Sequence, residues 1–137
     1  MQEVVVDTSA FFAKIAMLRD FVTEGKSKLC TLDLVVFEFT KLLQAELRAA
    51  KKEERNKMLI AVRDRFPGLL ADLGIEIKSP GFDGDDLVKL YHEIAKGQDA
   101  GDCMIWLKMQ KMGLKTILTQ NVRDWKKLGA EVISLPS

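Results

Sequence analysis

Near the start of the chain lies the stretch Val4-Val5-Val6-Asp7-Thr8-Ser9, in which an apolar run ends abruptly in a carboxylate and two hydroxyls. Three consecutive valines predict a buried strand, here over residues 3–7. In a parallel sheet, ligands bind at the carboxyl ends of the strands, which is where Asp7 would lie. Asp7 or Ser9 could instead cap the following helix, because both side chains accept hydrogen bonds from free N–H groups in a first turn. The positions of the other acidic residues in the chain decide between these two interpretations.

The composition is that of a globular domain: the chain has 137 residues, of which 47% are hydrophobic and 30% charged. A chain of this length buries a core without disulfides or metals, so we expect a single domain over residues 1–137. No apolar run approaches the length of a membrane span, and the first residues lack the features of a secretory signal, so we expect a cytoplasmic protein without membrane contact. Cys30 and Cys103 are far apart in apolar stretches, which predicts buried free thiols.

The net charge of +1 does not by itself indicate nucleic-acid binding, but the charges are unevenly distributed. Basic residues are concentrated between positions 41 and 65 and again near the end of the chain: Lys41, Arg48, Lys51, Lys52, Arg55, Lys57, Arg63, Arg65, and then Arg123, Lys126 and Lys127. Four acids interrupt the first group. A solvated helical hairpin with mixed charges and a track for phosphates both explain this pattern.

Strand and helix patterns alternate along the chain. Further strands are predicted at 29–32, 73–77, 116–119 and 132–135. Helices are predicted from about 10, over 33–50, after Lys51-Lys52 to about 65, and over 85–96, 100–112 and 122–128. Pro67-Gly68 should end the helix that follows Lys51-Lys52, and Gly113 and Gly129 should end the last two helices. This alternation predicts an α/β fold, a three-layer sandwich in which helices flank a central, mainly parallel sheet.

Some details of the helices are also predicted. We expect Asp33 to be the N-cap of the helix over 33–50. Apolar faces are expected on the first helix and on the helix over 85–96, formed by Phe11, Phe12, Ile15 and Ala16 and by Leu87, Leu90, Tyr91 and Ile94.

Two helices carry acids on faces that should be apolar. Helical spacing places Glu38 in one stripe with Val35 and Phe39, where an ionised carboxylate needs a Lys or Arg partner, a position at the rim, or a functional role. Asp102 lies at the N-terminal edge of a later helix, where the helix dipole favours an anion and capping is the simpler explanation. Asp99 is one turn before Asp102, or is itself the cap.

Two further polar residues follow the strand that ends at Thr119. Asn121 and Asp124 lie within reach of the carboxyl end of that strand, although a helix cap explains the first and a surface acid the second. A parallel sheet brings such strand ends to one edge. Converging carboxylates repel one another, and Mg²⁺ or Mn²⁺ relieves that repulsion while leaving positions open for water and phosphate oxygens. Such a site suits hydrolysis of a phosphodiester.

Taken in order, these motifs resemble a PIN domain, the ribonuclease fold of VapC-type toxins in toxin–antitoxin pairs. The resemblance covers nearly the whole chain and has four parts: Val6-Asp7-Thr8-Ser9 after a strand, Val35-Val36-Phe37-Glu38 at a helix start, the segment from Asp102 through Ile105 to Gly113, and the segment from Thr119 through Asn121 and Asp124 to Trp125. Each motif alone is weak evidence for the resemblance, but the four together, in this order and at this spacing, are characteristic of the family.

The resemblance implies a set of roles. Asp7, Glu38 and Asp102 match the three constant metal-binding acids of the family, with Asp99 as a further candidate ligand. The fourth acid departs from the common pattern, because Asn121 stands where many relatives have Asp, and Asp124 matches those that carry the acid three residues later. Thr8, Ser9 and Thr119 would position ligands or water by hydrogen bonds.

The function expected from the resemblance is a Mg²⁺- or Mn²⁺-dependent endoribonuclease that leaves a 5′-phosphate and a 3′-hydroxyl. Asp7, Glu38, Asp102 and Asp124 would carry the catalysis. A small antitoxin protein and a second copy of the chain would be its partners. Three alternatives remain. A non-catalytic PIN-like RNA-binding or scaffold domain is the first, and a receiver-type signalling domain and an Asp-x-Asp-x-Thr phosphatase match fewer residues.

Overall fold

The computed structural model describes residues 2–13, 15–25 and 27–134. Its strands are β1 (Gln2–Val6), β2 (Ser27–Leu32), β3 (Glu76–Lys78), β4 (Thr116–Thr119) and β5 (Glu131–Ser134). Its helices are α1 (Thr8–Ala13), α2 (Ile15–Thr23), α3 (Asp33–Ala49), α4 (Lys52–Asp72), α5 (Gly84–Ala95), α6 (Ala100–Lys111) and α7 (Val122–Leu128). The described strands form one sheet in the order β3-β2-β1-β4-β5, with all neighbours parallel. The predicted α/β fold is confirmed.

Strand β1 is the centre of the sheet and the point at which the chain changes direction. The chain passes from β1 to β2 and β3 on one side, then crosses back over β1 to build β4 and β5 on the other. Because crossovers between parallel strands are right-handed, α1–α4 cover one face and α5–α7 cover the other. Val4, Val5 and Val6 are accordingly fully buried, which is the environment that their run predicted.

Aromatic rings hold the first helical layer together. The rings of Phe39 and Phe66 stack with their centroids 4.7 Å apart, and Phe11 meets them edge-on at 6.3 and 5.6 Å. Trp106 and Trp125 are buried in the same core. The rings of α1 and α4 therefore hold α3 in position against the strand ends.

Helix α4 is longer than the sequence pattern indicated. It runs through Pro67 and Gly68 to Asp72, so the prediction that these residues end it at Arg65 was wrong. A proline inside a helix costs about 3 kcal/mol, because it removes a backbone hydrogen bond and its ring crowds the preceding turn. The later turns bury Leu70 and carry Phe66 against the core, and this packing outweighs the local cost.

Other boundaries and faces also differ from prediction. The N-cap of α3 is Leu32; Asp33 is the first helical residue, and its carboxylate accepts the N–H of Leu34 at 2.7 Å. Strand β3 begins at Glu76, because the extended α4 and its Leu73 C-cap occupy residues that we assigned to the strand. In α5, Leu90 is buried and Ile94 partly buried, but Leu87 and Tyr91 are exposed, since only one side of this helix meets α6.

Several predictions are confirmed within the described residues. Gly113 and Gly129 follow α6 and α7 with φ of 71° and 96°, a left-handed conformation that glycine adopts without strain. Cys30 and Cys103 are buried free thiols. Phe11 is buried as expected, whereas the side chains of Phe12, Ile15 and Ala16 and the whole of Leu135 lie outside the description. No described helix is long and apolar enough to cross a membrane.

Candidate active site

The topology creates a crevice between the carboxyl ends of β1 and β4. These strands are neighbours, pairing Val5 with Ile117 and Val6 with Leu118, but the helices that follow them leave towards opposite faces of the sheet. Ligands bind at such switch points in open α/β sheets. Asp7 extends the pairing by one residue, since its N–H donates to the carbonyl of Leu118 at 3.0 Å. Its side chain therefore enters the crevice from a rigid strand end.

Asp7 is buried, with 3% of its surface exposed, and two hydroxyls orient its carboxylate. Thr119 Oγ1 donates to Asp7 Oδ2 at 2.7 Å, and Ser9 Oγ donates to the same oxygen at 3.3 Å. The hydroxyls are fixed in turn, because the N–H groups of Gln120 and Asn121 donate to them, each at 3.0 Å. This network joins the residues that follow β1 to those that follow β4, and among the described residues both hydroxyls donate to Oδ2 of Asp7 rather than to Oδ1.

Glu38 reaches the crevice from the second turn of α3. The hydroxyl of Thr8 lies 3.4 Å from Glu38 Oε2 and donates to it, or to the carbonyl of Val35 at 3.5 Å. Burial, and next the charge of Asp7, raise the pKa of Glu38, while the hydrogen bond from Thr8 acts in the opposite direction. Glu38 is thus half-buried beside another acid; among the described residues its hydrogen-bond partner is a hydroxyl, and Lys41 acts on it through its charge.

Asp102 approaches from the first turn of α6. Its N–H donates to Asp99 Oδ2 at 3.0 Å, so the N-cap of α6 is Asp99 and not Asp102. Burial raises the pKa of Asp102 to about 7, and the charges of nearby carboxylates, first among them Asp7, contribute to the increase. A helix N-terminus ordinarily lowers the pKa of an acid. Burial, together with the neighbouring carboxylates, outweighs that effect here.

Gly101 allows α6 and α3 to approach each other, and it was not among the predicted site residues. A Cβ at this position would overlap Oε1 of Glu38 and would lie 3.2 Å from Oδ2 of Asp99. Glycine therefore allows the carboxylate of Glu38 to lie against the first turn of α6. The only signal in the sequence is its place directly before Asp102, which cannot be distinguished from an ordinary helical glycine.

The carboxylates surround a cleft of about 450 Å³, which is lined by Asp7, Thr8, Ser9, Glu38, Lys41, Leu42, Asp102 and Asn121. Lys41 and Leu42 were not among the predicted site residues. Their position three and four residues after Glu38 on the same helix would have indicated them, because residues at this spacing share a face.

The remaining predicted residues lie at the edge of this arrangement. Asn121 lines the cleft, whereas Asp124 is exposed on α7 and affects Asp102 only through its charge. Asp99 is exposed and acts as a helix cap, and its charge raises the pKa of both Glu38 and Asp102. The structure thus brings Asp7, Glu38 and Asp102 to one cleft, with Asn121 rather than Asp124 at its wall.

The donor chemistry of the cleft fits a hard divalent cation. Asp7, Glu38 and Asp102 supply carboxylate oxygens, which Mg²⁺ and Mn²⁺ prefer, and a cation would offset the repulsion that, after burial, helps to raise the pKa values of Glu38 and Asp102. Within the described residues, no three Asp, Glu, His or Cys side chains already stand close enough to hold a metal ion. Binding would therefore require these carboxylates to draw together.

Known structures share this fold over nearly their whole length. PAE2754 from Pyrobaculum aerophilum is 22% identical, with a TM-score of 0.66, and the alignment covers 97% of this chain and 90% of that one. VapBC2 from Rickettsia felis, bound to a DNA fragment from its promoter, is 15% identical with a TM-score of 0.60, over 98% of this chain and 100% of that one. FitAcB from Neisseria gonorrhoeae is 17% identical with a TM-score of 0.58, over 95% and 96%. No protein-family model and no curated protein matches the sequence.

Proposed function

We propose that this protein is a metal-dependent endoribonuclease of the PIN class, similar to VapC toxins. The observation that carries the proposal is the convergence of Asp7, Glu38 and Asp102, from three separate elements, on one cleft at the switch point of the sheet. Helix capping alone does not explain why Glu38 and Asp102 lie where burial and the charges of neighbouring carboxylates raise their pKa values.

Each residue of the cleft has a role in this proposal. Asp7, Glu38 and Asp102 would hold Mg²⁺ or Mn²⁺, which supplies Lewis acidity and neutralises charge on a phosphodiester. Thr119 and Ser9 hold the carboxylate of Asp7 in one orientation, which reduces the reorganisation needed when ligands bind. The products expected from the PIN resemblance are a 5′-phosphate and a 3′-hydroxyl.

The biological setting belongs to the same proposal. The VapBC2 and FitAcB structures share the fold, which supports a toxin whose partner is a small antitoxin protein that covers the acidic cleft. A homodimer and a cytoplasmic location are expected of such a toxin.

A non-catalytic RNA-binding domain of the same fold is the second candidate. Two observations favour it: the cleft wall has Asn121 where many PIN nucleases have an acid, and the described acids are not already set to hold a metal. Affinity for Mn²⁺ separates the candidates, because only the nuclease requires the cation.

The test compares cleavage of structured and unpaired RNAs by the wild type, Asp7→Asn and Asp85→Asn, with Mg²⁺, Mn²⁺ or chelator. Asp85 is an exposed acid in the first turn of α5, so its variant controls for loss of one negative charge. Loss of groups that merely orient metal ligands costs about 10- to 100-fold, so we expect Asp7→Asn to lower cleavage by about 100-fold or more. RNA binding without cleavage in any metal would instead favour the non-catalytic domain, and absence of both would overturn the two candidates together.

A further inference from the structure

An exposed aromatic ring lies beside the candidate active site, on the outer surface of α3. Phe37 is 59% exposed, although it directly precedes Glu38 and is two residues from the buried Phe39. Lys41 lies one turn further along, with Nζ 5.8 Å from the centre of the Phe37 ring. Lys41 and the 47% exposed Leu42 line the acidic cleft. Phe37, Lys41 and Leu42 thus form a continuous rim, which we call the α3 rim.

Folding alone does not account for this composition. Burying a phenylalanine side chain stabilises a fold, and Phe37, which is mostly exposed, forgoes most of that gain. A cation–π contact at an exposed site returns only a small part of it. The ring and the ammonium group are therefore better explained by a ligand that carries both a flat apolar surface and a negative charge.

We infer that the α3 rim binds one unpaired nucleotide of an RNA strand, next to the phosphodiester that occupies the cleft. The base stacks on Phe37, and Lys41 Nζ contacts a phosphate of the same strand. This inference rests on the proposed ribonuclease function and adds the residues that hold a nucleotide beside the cleft. A base inside a duplex is stacked on both faces and cannot reach the ring, whereas an unpaired base can.

The charge of the surrounding surface favours RNA over a protein ligand at the rim. Residues 41–65, which form the distal part of the hairpin of α3 and α4, contain eight Lys and Arg against four Asp and Glu. The side chains in the middle of this hairpin are mostly exposed, so their charges face solvent. Excess positive charge that begins at Lys41 and continues along the hairpin can follow a phosphate backbone as it leaves the cleft.

Binding can be measured apart from cleavage in the Asp7→Asn background with Mg²⁺, using fluorescence anisotropy of a short, labelled, unpaired RNA. The test variants are Phe37→Ala, Phe37→Leu and Lys41→Gln. Matched controls are Tyr91→Ala, which removes another exposed ring (62%), and Lys89→Gln, which removes a charge; both residues line a groove between α5 and α6, away from the cleft. An RNA series with one abasic nucleotide at each position reports which base is stacked.

Stacking of one base is worth about 5- to 150-fold in affinity, so Phe37→Ala and Phe37→Leu should each weaken binding about tenfold, and the controls should not. In the protein that keeps Phe37, an abasic nucleotide at one position should weaken binding as much as Phe37→Ala does. In the Phe37→Ala variant, the same abasic nucleotide should cause no further loss of affinity. Lys41→Gln should lower the slope of log affinity against log salt by about 0.7, the value for one phosphate contact on a single strand.

The outcomes separate this inference from the proposed function. If the wild type cleaves RNA while the α3 rim variants bind and cleave as it does, the inference is overturned and the nuclease stands. A change in oligomeric state on Phe37→Ala, with RNA affinity unchanged, would make the rim a protein interface and also overturn it. RNA binding that depends on Phe37 and Lys41, without any cleavage, would support the rim and count against the nuclease. Absence of both binding and cleavage would overturn both proposals.

Discussion

Asp102 and Asp86 occupy the same position in their helices but have opposite electrostatic surroundings. Each is the third residue of its helix, and an Asp N-cap accepts its N–H: Asp99 for Asp102 and Asp83 for Asp86. Asp86 Oδ2 lies 2.6 Å from Lys111 Nζ, and this hydrogen bond holds the pKa of Asp86 below its ordinary value. Burial and neighbouring carboxylates raise the pKa of Asp102 to about 7. Replacing each acid by Asn should therefore change stability in opposite directions.

The sign and size of the change in stability caused by Asp102→Asn follow from proton linkage. Between pH 3.8 and about 7, folded Asp102 retains a proton that the unfolded chain has released, so the free energy of unfolding falls as the pH rises through this range. The difference between the pKa of Asp102 in the folded and in the unfolded chain, about three, corresponds to at most about 4 kcal/mol in the free energy of unfolding. Because Asp102 is partly exposed, water and salt screen the repulsion, and we expect Asp102→Asn to stabilise the protein by about 2 kcal/mol near pH 8 and hardly at all near pH 4.

The measurement is urea unfolding of the wild type, Asp102→Asn and Asp86→Asn in chelator, between about pH 3 and pH 8. Asp86→Asn should be less stable than the wild type at neutral pH, because a carboxyl group whose pKa is lowered by folding stabilises the fold at pH values above its pKa in the unfolded chain. The difference in stability between this variant and the wild type should shrink as the pH falls below 3.8. Mn²⁺ added near pH 8 should stabilise the wild type more than Asp102→Asn. Equal stability of Asp102→Asn and wild type near pH 8, or a gain that is the same at every pH, would refute the electrostatic argument.

Three further variants test the geometry. Gly101→Ala places a Cβ on the carboxylate of Glu38, so cleavage should fall about 10- to 100-fold, as measured by kcat/KM, because small displacements of a catalytic group are costly. Thr119→Val removes the 2.7 Å hydrogen bond to Asp7 from a buried position and should cost about 1–3 kcal/mol in urea unfolding. Pro67→Ala restores a backbone donor inside α4 and should stabilise the protein by up to about 3 kcal/mol in the same assay.

Each of these expectations has a result that contradicts it. Unchanged kcat/KM in Gly101→Ala would mean that Glu38 does not need its position against α6. If Thr119→Val were as stable as the wild type, the hydroxyl network would not hold Asp7. Destabilisation by Pro67→Ala would mean that α4 is not a continuous helix at this point.

Much of the site could be predicted because its acids violate local patterns. Asp7 interrupts a run of valines, and Glu38 interrupts an apolar stripe, and such violations are visible without any contact being known. Thr119 and Asn121 could be placed because β4 and α7 have clear boundaries, which the structure reproduces. The choice between capping and a ligand role for Asp102 could not be made from its position, since Asp86 has the same position and a structural partner.

By itself, the sequence determined the alternation of strands and helices, the buried first strand, and the acids at strand ends and helix starts, because these depend on periodicity and on residues that begin or end an element. Only the tertiary structure decided how α4 ends, which of Asn121 and Asp124 meets the cleft, and that Gly101, Lys41 and Leu42 belong to the site. These features depend on contacts between residues that are distant in the chain. Their energies arise from burial and charge in the assembled fold and leave no periodic signal in the sequence.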